Sequence, residues 1–283
     1  GGYASVAVTL AAWLKRIPVL IYLPDIVPGQ AIQTLSRFAA RVAVTSEESC
    51  HYFDPKKVVV TGYPVRSEIL TLSRAKARQA LGLAPTAKVL LVFGGSKGAR
   101  SINQALMAGL ESLLPICQVV HISGQLDTDW VTEAARYLPE TMRERYHHYG
   151  YMHDMPLALV AADLAVARAG AATLGEFPAA GLPAVLVPYP YSGQHQNPNA
   201  DHMARNGAAR VLLDAELGEK LVPTLLELLD DAPSWQALGA MSASARSLAR
   251  PDAAEAIAEQ LRSLATRRGD RGALPRRLRR RLP

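Results

Sequence analysis

The sequence predicts an α/β fold built on parallel sheets. Two observations carry this. Short aliphatic or β-branched runs alternate with helical patterns from one end of the chain to the other, the pattern of strands joined by crossover helices. At 283 residues the chain also has room for two ordinary domains, each with its own core.

In the first part, strands are expected at Val19 to Leu23, Arg41 to Val44 and Val58 to Val60, with helices around Ala31 to Ala40 and Glu47 to Tyr52. Three strands make a poor sheet alone, and Gly1 to Ser5 feed straight into the apolar stretch Val6 to Leu14, so a preceding segment is expected. A second α/β unit begins after Pro64-Val65-Arg66, which resembles a domain joint. Its strands are expected at Val89 to Phe93, Gln118 to Ile122, Leu164 to Ala167, Ala184 to Val187 and Arg210 to Leu213, forming one doubly wound domain. Ile102, Leu106, Leu110 and Leu113 keep a helical spacing, and Met155 to Ala162 reads as a short buried helix. Pro251-Asp252 opens a last amphipathic helix carrying Ile257, Leu261 and Leu264 on one stripe.

Composition narrows the function. The net charge of +6 sits almost entirely at one end: residues 267–283 hold eight Arg and one Asp, and the remaining body is close to neutral. No basic face for nucleic acid follows. The Arg-rich segment reads as a solvated charge block, with a surface lying on anionic lipid as the alternative. Only Cys50 and Cys117 are present, too few for a disulfide framework or a Cys-based metal site, which fits a reducing compartment. No apolar run reaches the roughly 18 residues that a spanning helix needs.

Two strand-to-helix turns can carry chemistry. The run Gly94-Gly95-Ser96-Lys97-Gly98 follows a strand and precedes a helix, so its backbone can approach a phosphate near a helix N-terminus; Lys97 before the last Gly excludes a Walker A loop. A phosphate-facing loop is the favoured reading, given where open α/β sheets bind ligands, with an ordinary tight strand-to-helix turn as the alternative. The stretch Arg168 to Glu176 puts Ala171, Ala172 and Thr173 at a helix start, with Thr173 and Glu176 on one face by their i,i+3 spacing. Glu176 can accept both hydroxyls of a ribose. Spacing alone favours a first-turn Glu that complements the helix dipole, worth about 0.3–1 kcal/mol. Tyr189 to Ala200 is polar and amide-rich, and Gln196 and Asn199 have the donor and acceptor capacity that sugar hydroxyls require. His195, Asp201 and His202 lack spaced third and fourth ligands, so no metal is assigned there, nor at His147 and His148.

Seven ordered motifs then carry a resemblance: GGYAS at Gly1 to Ser5, GYPVR at Gly62 to Arg66, GGSKGARSIN at Gly94 to Asn103, ISG at Ile122 to Gly124, RAGAATLGE at Arg168 to Glu176, AAGLPAVLVPYP at Ala179 to Pro190 and HQNPNA at His195 to Ala200. In this order the chain resembles the MurG family, the undecaprenyldiphospho-muramoylpentapeptide N-acetylglucosaminyltransferases of peptidoglycan synthesis, over nearly its whole length to about Ala265.

The resemblance implies a glycosyltransferase-B architecture of two Rossmann-like domains, the first incomplete. Residues 1–66 would be the end of the acceptor and membrane-side domain, 67–250 the UDP-sugar-binding domain, 251–266 a helix packing back on the first domain, and 267–283 a basic disordered tail. It implies an inverting transfer of N-acetylglucosamine from UDP-N-acetylglucosamine to the muramoyl 4-hydroxyl of a lipid-linked pentapeptide acceptor, with no cofactor, at the cytoplasmic face of the bacterial plasma membrane. Arg66 and Ser96 match donor-contacting positions, and Met152 the position whose backbone meets the uracil. Ala171, Ala172, Thr173, Leu174, Gly175 and Glu176 match the diphosphate- and ribose-holding segment, and Gln196 the reader of the N-acetylglucosamine. The catalytic residue stays unassigned, because the family's His belongs to a glycine-rich loop with no counterpart here. Two motifs depart from the family pattern. Tyr22-Leu23-Pro24-Asp25 stands where many members have HEQN, so Asp25 replaces an Asn, and Tyr63 replaces the commoner Asn of GYPVR. The alternatives are a sugar-nucleotide-binding chain without turnover, and another UDP-sugar enzyme of this architecture, a glycolipid glycosyltransferase or an epimerase.

Overall fold

Every strand of the computed structural model pairs in parallel. The structure describes residues 3–95, 97–191, 196–230 and 233–272. The chain divides into two compact units, residues 1–64 with 251–283, and residues 65–250, which puts Arg66 in the second.

The first unit holds a three-stranded sheet, β1 (Leu20–Leu23), β2 (Arg41–Val44) and β3 (Val58–Val60), in the order β1-β2-β3. Its core is Leu23, Ala39, Val42, Val44 and Phe53. The stretch preceding β1 is helical from Tyr3 to Leu14. The helix expected to reach Ala40 spans Gln30–Ser36 instead, and the backbone turns at Ser36 to Ala39 to enter β2. Glu47–Tyr52 is a 3-10 helix whose N-cap Ser46 accepts from the Glu48 N–H. The last helix runs from Ala253 to Gly272. Its buried stripe holds Ala253 and Leu264, whereas Leu261, expected on that stripe, is half exposed at 51%.

The second unit is a six-stranded sheet with β4 (Val89–Phe93), β5 (Gln118–Ile122), β6 (Tyr146–Tyr149), β7 (Leu164–Ala167), β8 (Ala184–Leu186) and β9 (Ala209–Val211). The strand order is β6-β5-β4-β7-β8-β9. The chain thus steps outward from β4 in one direction and, after β7, in the other, so the order reverses between these two strands. In open parallel sheets ligands bind at the carboxyl ends of the strands beside such a reversal.

Strands β4, β7 and β8 read as continuous apolar runs because helices cover both faces of a parallel sheet, and their aliphatic side chains are buried; β5 adds Val119, Val120 and Ile122 to the same core but also carries Gln118 and His121. Ile102, Leu106, Leu110 and Leu113, on the helix Arg100–Leu113, are completely buried in this core, as their spacing predicts. The helix Met155–Ala161 is buried along most of its length. Sequence analysis missed β6. Its residues Tyr-His-His-Tyr look polar, and their partners lie across the sheet.

Candidate functional site

The site is built from loops at the carboxyl ends of β4, β6, β7 and β8, all in the second unit. After β4, Gly94 to Ala99 form the turn into the helix Arg100–Leu113; Ser96 lies outside the described residues. Gly95 and Gly98 have φ of +90° and +83°, a conformation that side chains rarely adopt. The glycines divide by role. A Cβ on Gly94 would collide with Ala99, one on Gly98 with the Ser123 carbonyl, and one on Gly124 with the Gly98 backbone, so these three serve backbone packing. Gly95 has open space where a side chain would stand, and it is the glycine at which a ligand can approach.

After β7, residues Ala171–Leu174 form a 3-10 turn and Glu176–Ala180 a separate short helix. The single helix start expected from sequence is broken at Gly175, whose φ of −125° leaves the helical range. Thr173 and Glu176 therefore sit on two separate elements. Thr173 is buried, and its hydroxyl donates to the Gly170 carbonyl at 2.7 Å. Gly170 has open space at its Cβ position, so the backbone entering Ala171 and Ala172 is accessible. Leu174 is buried beneath the turn.

Glu176 is half buried, and Arg66 Nη2 lies 3.7 Å from its Oε1. Burial pushes its carboxyl above the ordinary carboxylate range, and the Arg66 charge opposes that shift. Arg66 also donates from Nη1 to the His153 carbonyl at 3.5 Å. His153 follows Met152 in the loop after β6, where the Met152 side chain is buried and its neighbour Tyr151 is exposed. One guanidinium thus links Glu176 to the loop after β6 that carries Met152, through the carbonyl of His153.

After β8 the chain passes Tyr189 and reaches the helix Gln196–Arg205; His195 lies outside the described residues. The Gln196 Oε1 accepts from the Tyr189 N–H at 2.9 Å, which ties the two ends of this loop together. Asn199, which sequence analysis offered for sugar hydroxyls, is fully buried and donates from Nδ2 to the Ala169 carbonyl at 3.1 Å. It holds the β7 turn instead. Among the described residues no group of three or more His, Cys, Asp or Glu side chains is placed to hold a metal.

Asp25 lies in the first unit, on the turn after β1, half buried near Tyr22. The two departures from the family pattern meet there. The Tyr22 and Tyr63 rings stand 6.5 Å apart, and the Tyr22 hydroxyl lies 3.1 Å from Thr45 Oγ1 and 3.2 Å from the Gly62 carbonyl. Burial raises the Tyr22 pKa to about 12, so the hydroxyl keeps its proton.

Beneath the β4 turn lies a buried polar network that sequence analysis did not find. Asn103 donates from Nδ2 to the Ser123 carbonyl and to Asp127 Oδ2, both at 2.8 Å, so its Oδ1 faces His121 Nε2 at 2.9 Å as an acceptor. His121 therefore carries its proton on Nε2, and Nδ1 accepts from the Tyr146 hydroxyl at 2.6 Å. The Ser123 hydroxyl lies 2.8 Å from His148 Nε2, and the His148 ring stacks on Tyr146. Arg100 holds Asp127 from the outside, its Nε at 2.7 Å. The alternation of Tyr146 and His148 on one face of β6 was the available signal.

A doubly wound domain with a glycine turn, a carboxylate beside an arginine and an amide-bearing loop at the reversal of strand order has the form of a nucleotide-binding domain. Residues 89–257 match the model of the glycosyltransferase family 28 C-terminal domain. The UDP-N-acetylglucosamine–N-acetylmuramyl-(pentapeptide) pyrophosphoryl-undecaprenol N-acetylglucosamine transferase of Roseiflexus sp. (strain RS-1) is 41% identical, over 95% of this chain and 69% of its own length. The protein of the same name from Thermodesulfovibrio yellowstonii is 37% identical, over 95% of this chain and 73% of its own. Among solved structures, MurG of Acinetobacter baumannii superposes with a TM-score of 0.75 at 29% identity, covering 93% of this chain and 72% of that one. The chain belongs to the MurG family of glycosyltransferases.

Proposed function

We propose that the chain binds UDP-N-acetylglucosamine at the carboxyl ends of β4, β6, β7 and β8 and transfers N-acetylglucosamine to a lipid-linked muramoyl-pentapeptide acceptor. The observation that supports the reading is the Arg66 guanidinium set between Glu176 and the His153 carbonyl, in the loop that carries Met152. In this assignment Met152 offers backbone to the uracil, Glu176 accepts from the ribose hydroxyls, and Ala171 to Gly175 present N–H groups to the diphosphate with Arg66 beside them. Gln196 meets the sugar through its Nε2, its oxygen being engaged by Tyr189. Ser96 completes the donor contacts that the family implies in the second unit.

The acceptor hydroxyl oxygen bonds to the anomeric carbon as the bond from that carbon to the diphosphate breaks. UDP leaves with the electron pair, the hydroxyl proton passes to a base, and the configuration inverts. Stabilising the departing diphosphate with N–H groups and Arg66 is the electrostatic contribution, and holding the sugar in line is the positional one.

Calorimetric titration with UDP-N-acetylglucosamine, UDP-glucose and NADH, without added metal, tests the donor site. Selective binding of the first is expected. Equal binding of all three, or of none by a chain that circular dichroism shows to be folded, would overturn the assignment.

We infer, further, that the first unit meets the cytoplasmic face of the plasma membrane. Trp13 and Leu14 are exposed, at 50% and 73%, and Arg16, Arg37 and Lys57 rim a cavity of about 550 Å³ whose lining includes Trp13, Ile17, Phe38 and Leu264. Apolar side chains ringed by cations suit an anionic bilayer surface. Among the described residues no helix is long and apolar enough to cross a membrane. Co-sedimentation with phosphatidylglycerol vesicles is expected, weakening with salt and in Trp13→Ser; equal retention by neutral vesicles would exclude the electrostatic part.

A further inference from the structure

Arg168 stands at the head of the β7 turn, where an arginine would ordinarily be assigned to a phosphate. Its guanidinium is engaged elsewhere. Nη1 lies 2.5 Å from Asp214 Oδ1 and 3.4 Å from the carbonyls of both Val187 and Pro188, and Nη2 donates to Ser101 Oγ at 2.9 Å. Ser101 Oγ in turn donates to Asp214 Oδ1 at 2.7 Å. The Tyr189 ring lies under the guanidinium carbon at 5.4 Å, within the range of a cation–π contact. The side chain is only 12% exposed and that of Asp214 19%, so this ion pair is shielded from water. Four pieces of the domain meet at one side chain: the end of β7, the first turn of the helix Arg100–Leu113, the turn after β9, and the segment leaving β8.

That last segment leads to Gln196, whose carboxamide is fixed in turn by the Tyr189 N–H. We propose that Arg168 is a positioning residue for sugar recognition. Anchored by Asp214 and Ser101, it holds Val187 to Tyr189 so that Gln196 faces the sugar, and it does not bind the diphosphate. Lysine cannot replace it, because one ammonium cannot hold a carboxylate, a hydroxyl, two carbonyls and a ring face in fixed directions.

The inference rests on the donor assignment above, and the test separates the two. Arg168→Lys, Asp214→Asn and Tyr189→Leu are each titrated with UDP, UDP-N-acetylglucosamine and UDP-glucose. The wild-type chain tests the donor assignment by itself, through its preference for UDP-N-acetylglucosamine. If that holds, UDP affinity is expected to stay within about twofold in all three variants, while the preference for UDP-N-acetylglucosamine over UDP-glucose falls at least tenfold in Arg168→Lys and Asp214→Asn. Tyr189→Leu removes the ring from a partly exposed position and leaves the ion pair intact, so it reads the same loop if either other variant fails to fold; a smaller fall, above threefold, is expected. A parallel loss of UDP affinity in Arg168→Lys would make Arg168 a phosphate ligand and overturn the proposal, as would an unchanged sugar preference in the folded variants.

Discussion

Replacing Glu176 by Ala weakens UDP-N-acetylglucosamine binding by about 1–3 kcal/mol, the range for loss of a charge-assisted hydrogen-bond partner. The carboxylate is half buried and has Arg66 as its nearby cation, so water does not readily take over its role. The effect carries a pH signature. Burial holds the folded pKa above the ordinary value of 4.5, with Arg66 pulling against it, and only the ionised form accepts from both ribose hydroxyls. Donor affinity therefore declines as pH falls through that raised pKa, toward the affinity of Glu176→Ala. Arg66→Gln removes the opposing charge, so the decline begins at a higher pH. Calorimetry across pH measures both effects. Unchanged affinity in Glu176→Ala, or a decline displaced to lower pH in Arg66→Gln, removes the ribose assignment.

The second large effect concerns the network under the β4 turn. Asn103→Ala strips partners from His121 Nε2, the Ser123 carbonyl and Asp127 together, in a region with little water, and is expected to destabilise the second unit by more than about 3 kcal/mol. Denaturant unfolding measures this, and a loss below about 1 kcal/mol would mean that the network is dispensable. Acid adds to the same weakness. Burial lowers the His121 pKa from 6.5 to about 3, with the neighbouring His148 pushing the same way and Asp127 opposing. A histidine kept neutral in the fold contributes its full share above pH 6.5; below that the unfolded chain takes up a proton that the folded chain refuses. Stability thus falls as pH drops from about 6.5 toward about 3, by up to about 1.4 kcal/mol per unit from this residue. In His121→Leu the slope over that window is shallower, and an identical slope would show that His121 is not the group responsible.

What could be read from the sequence was what local pattern encodes. Strands β4 and β7 were visible to the residue because strands buried on both faces are apolar throughout, and β5 was visible by its Val119, Val120 and Ile122. So was the buried stripe from Ile102 to Leu113. Strand β6 was hidden because His121, Ser123 and Gln118, which satisfy its polar side chains, sit on the neighbouring strand and the turn after it. Of the candidate site, Arg66 lies beside Glu176 and bonds the loop that carries Met152. The amides were ambiguous for a physical reason: Gln196 and Asn199 carry the same carboxamide, and only the fold buries Asn199 on the Ala169 carbonyl while Gln196 stays partly exposed. The break at Gly175 was equally invisible, since glycine continues a turn or ends it according to what packs around it.

The contact between Gly98 and Gly124 has a consequence for engineering. A side chain on Gly124 would stand in the Gly98 backbone and one on Gly98 in the Ser123 carbonyl, so the turn after β4 and the turn after β5 form a single mechanical part, although 25 positions separate the two glycines. A chimera that imports a donor loop from a relative with different nucleotide preference must carry both segments or neither. Half a transplant would jam the sheet before it changed any specificity.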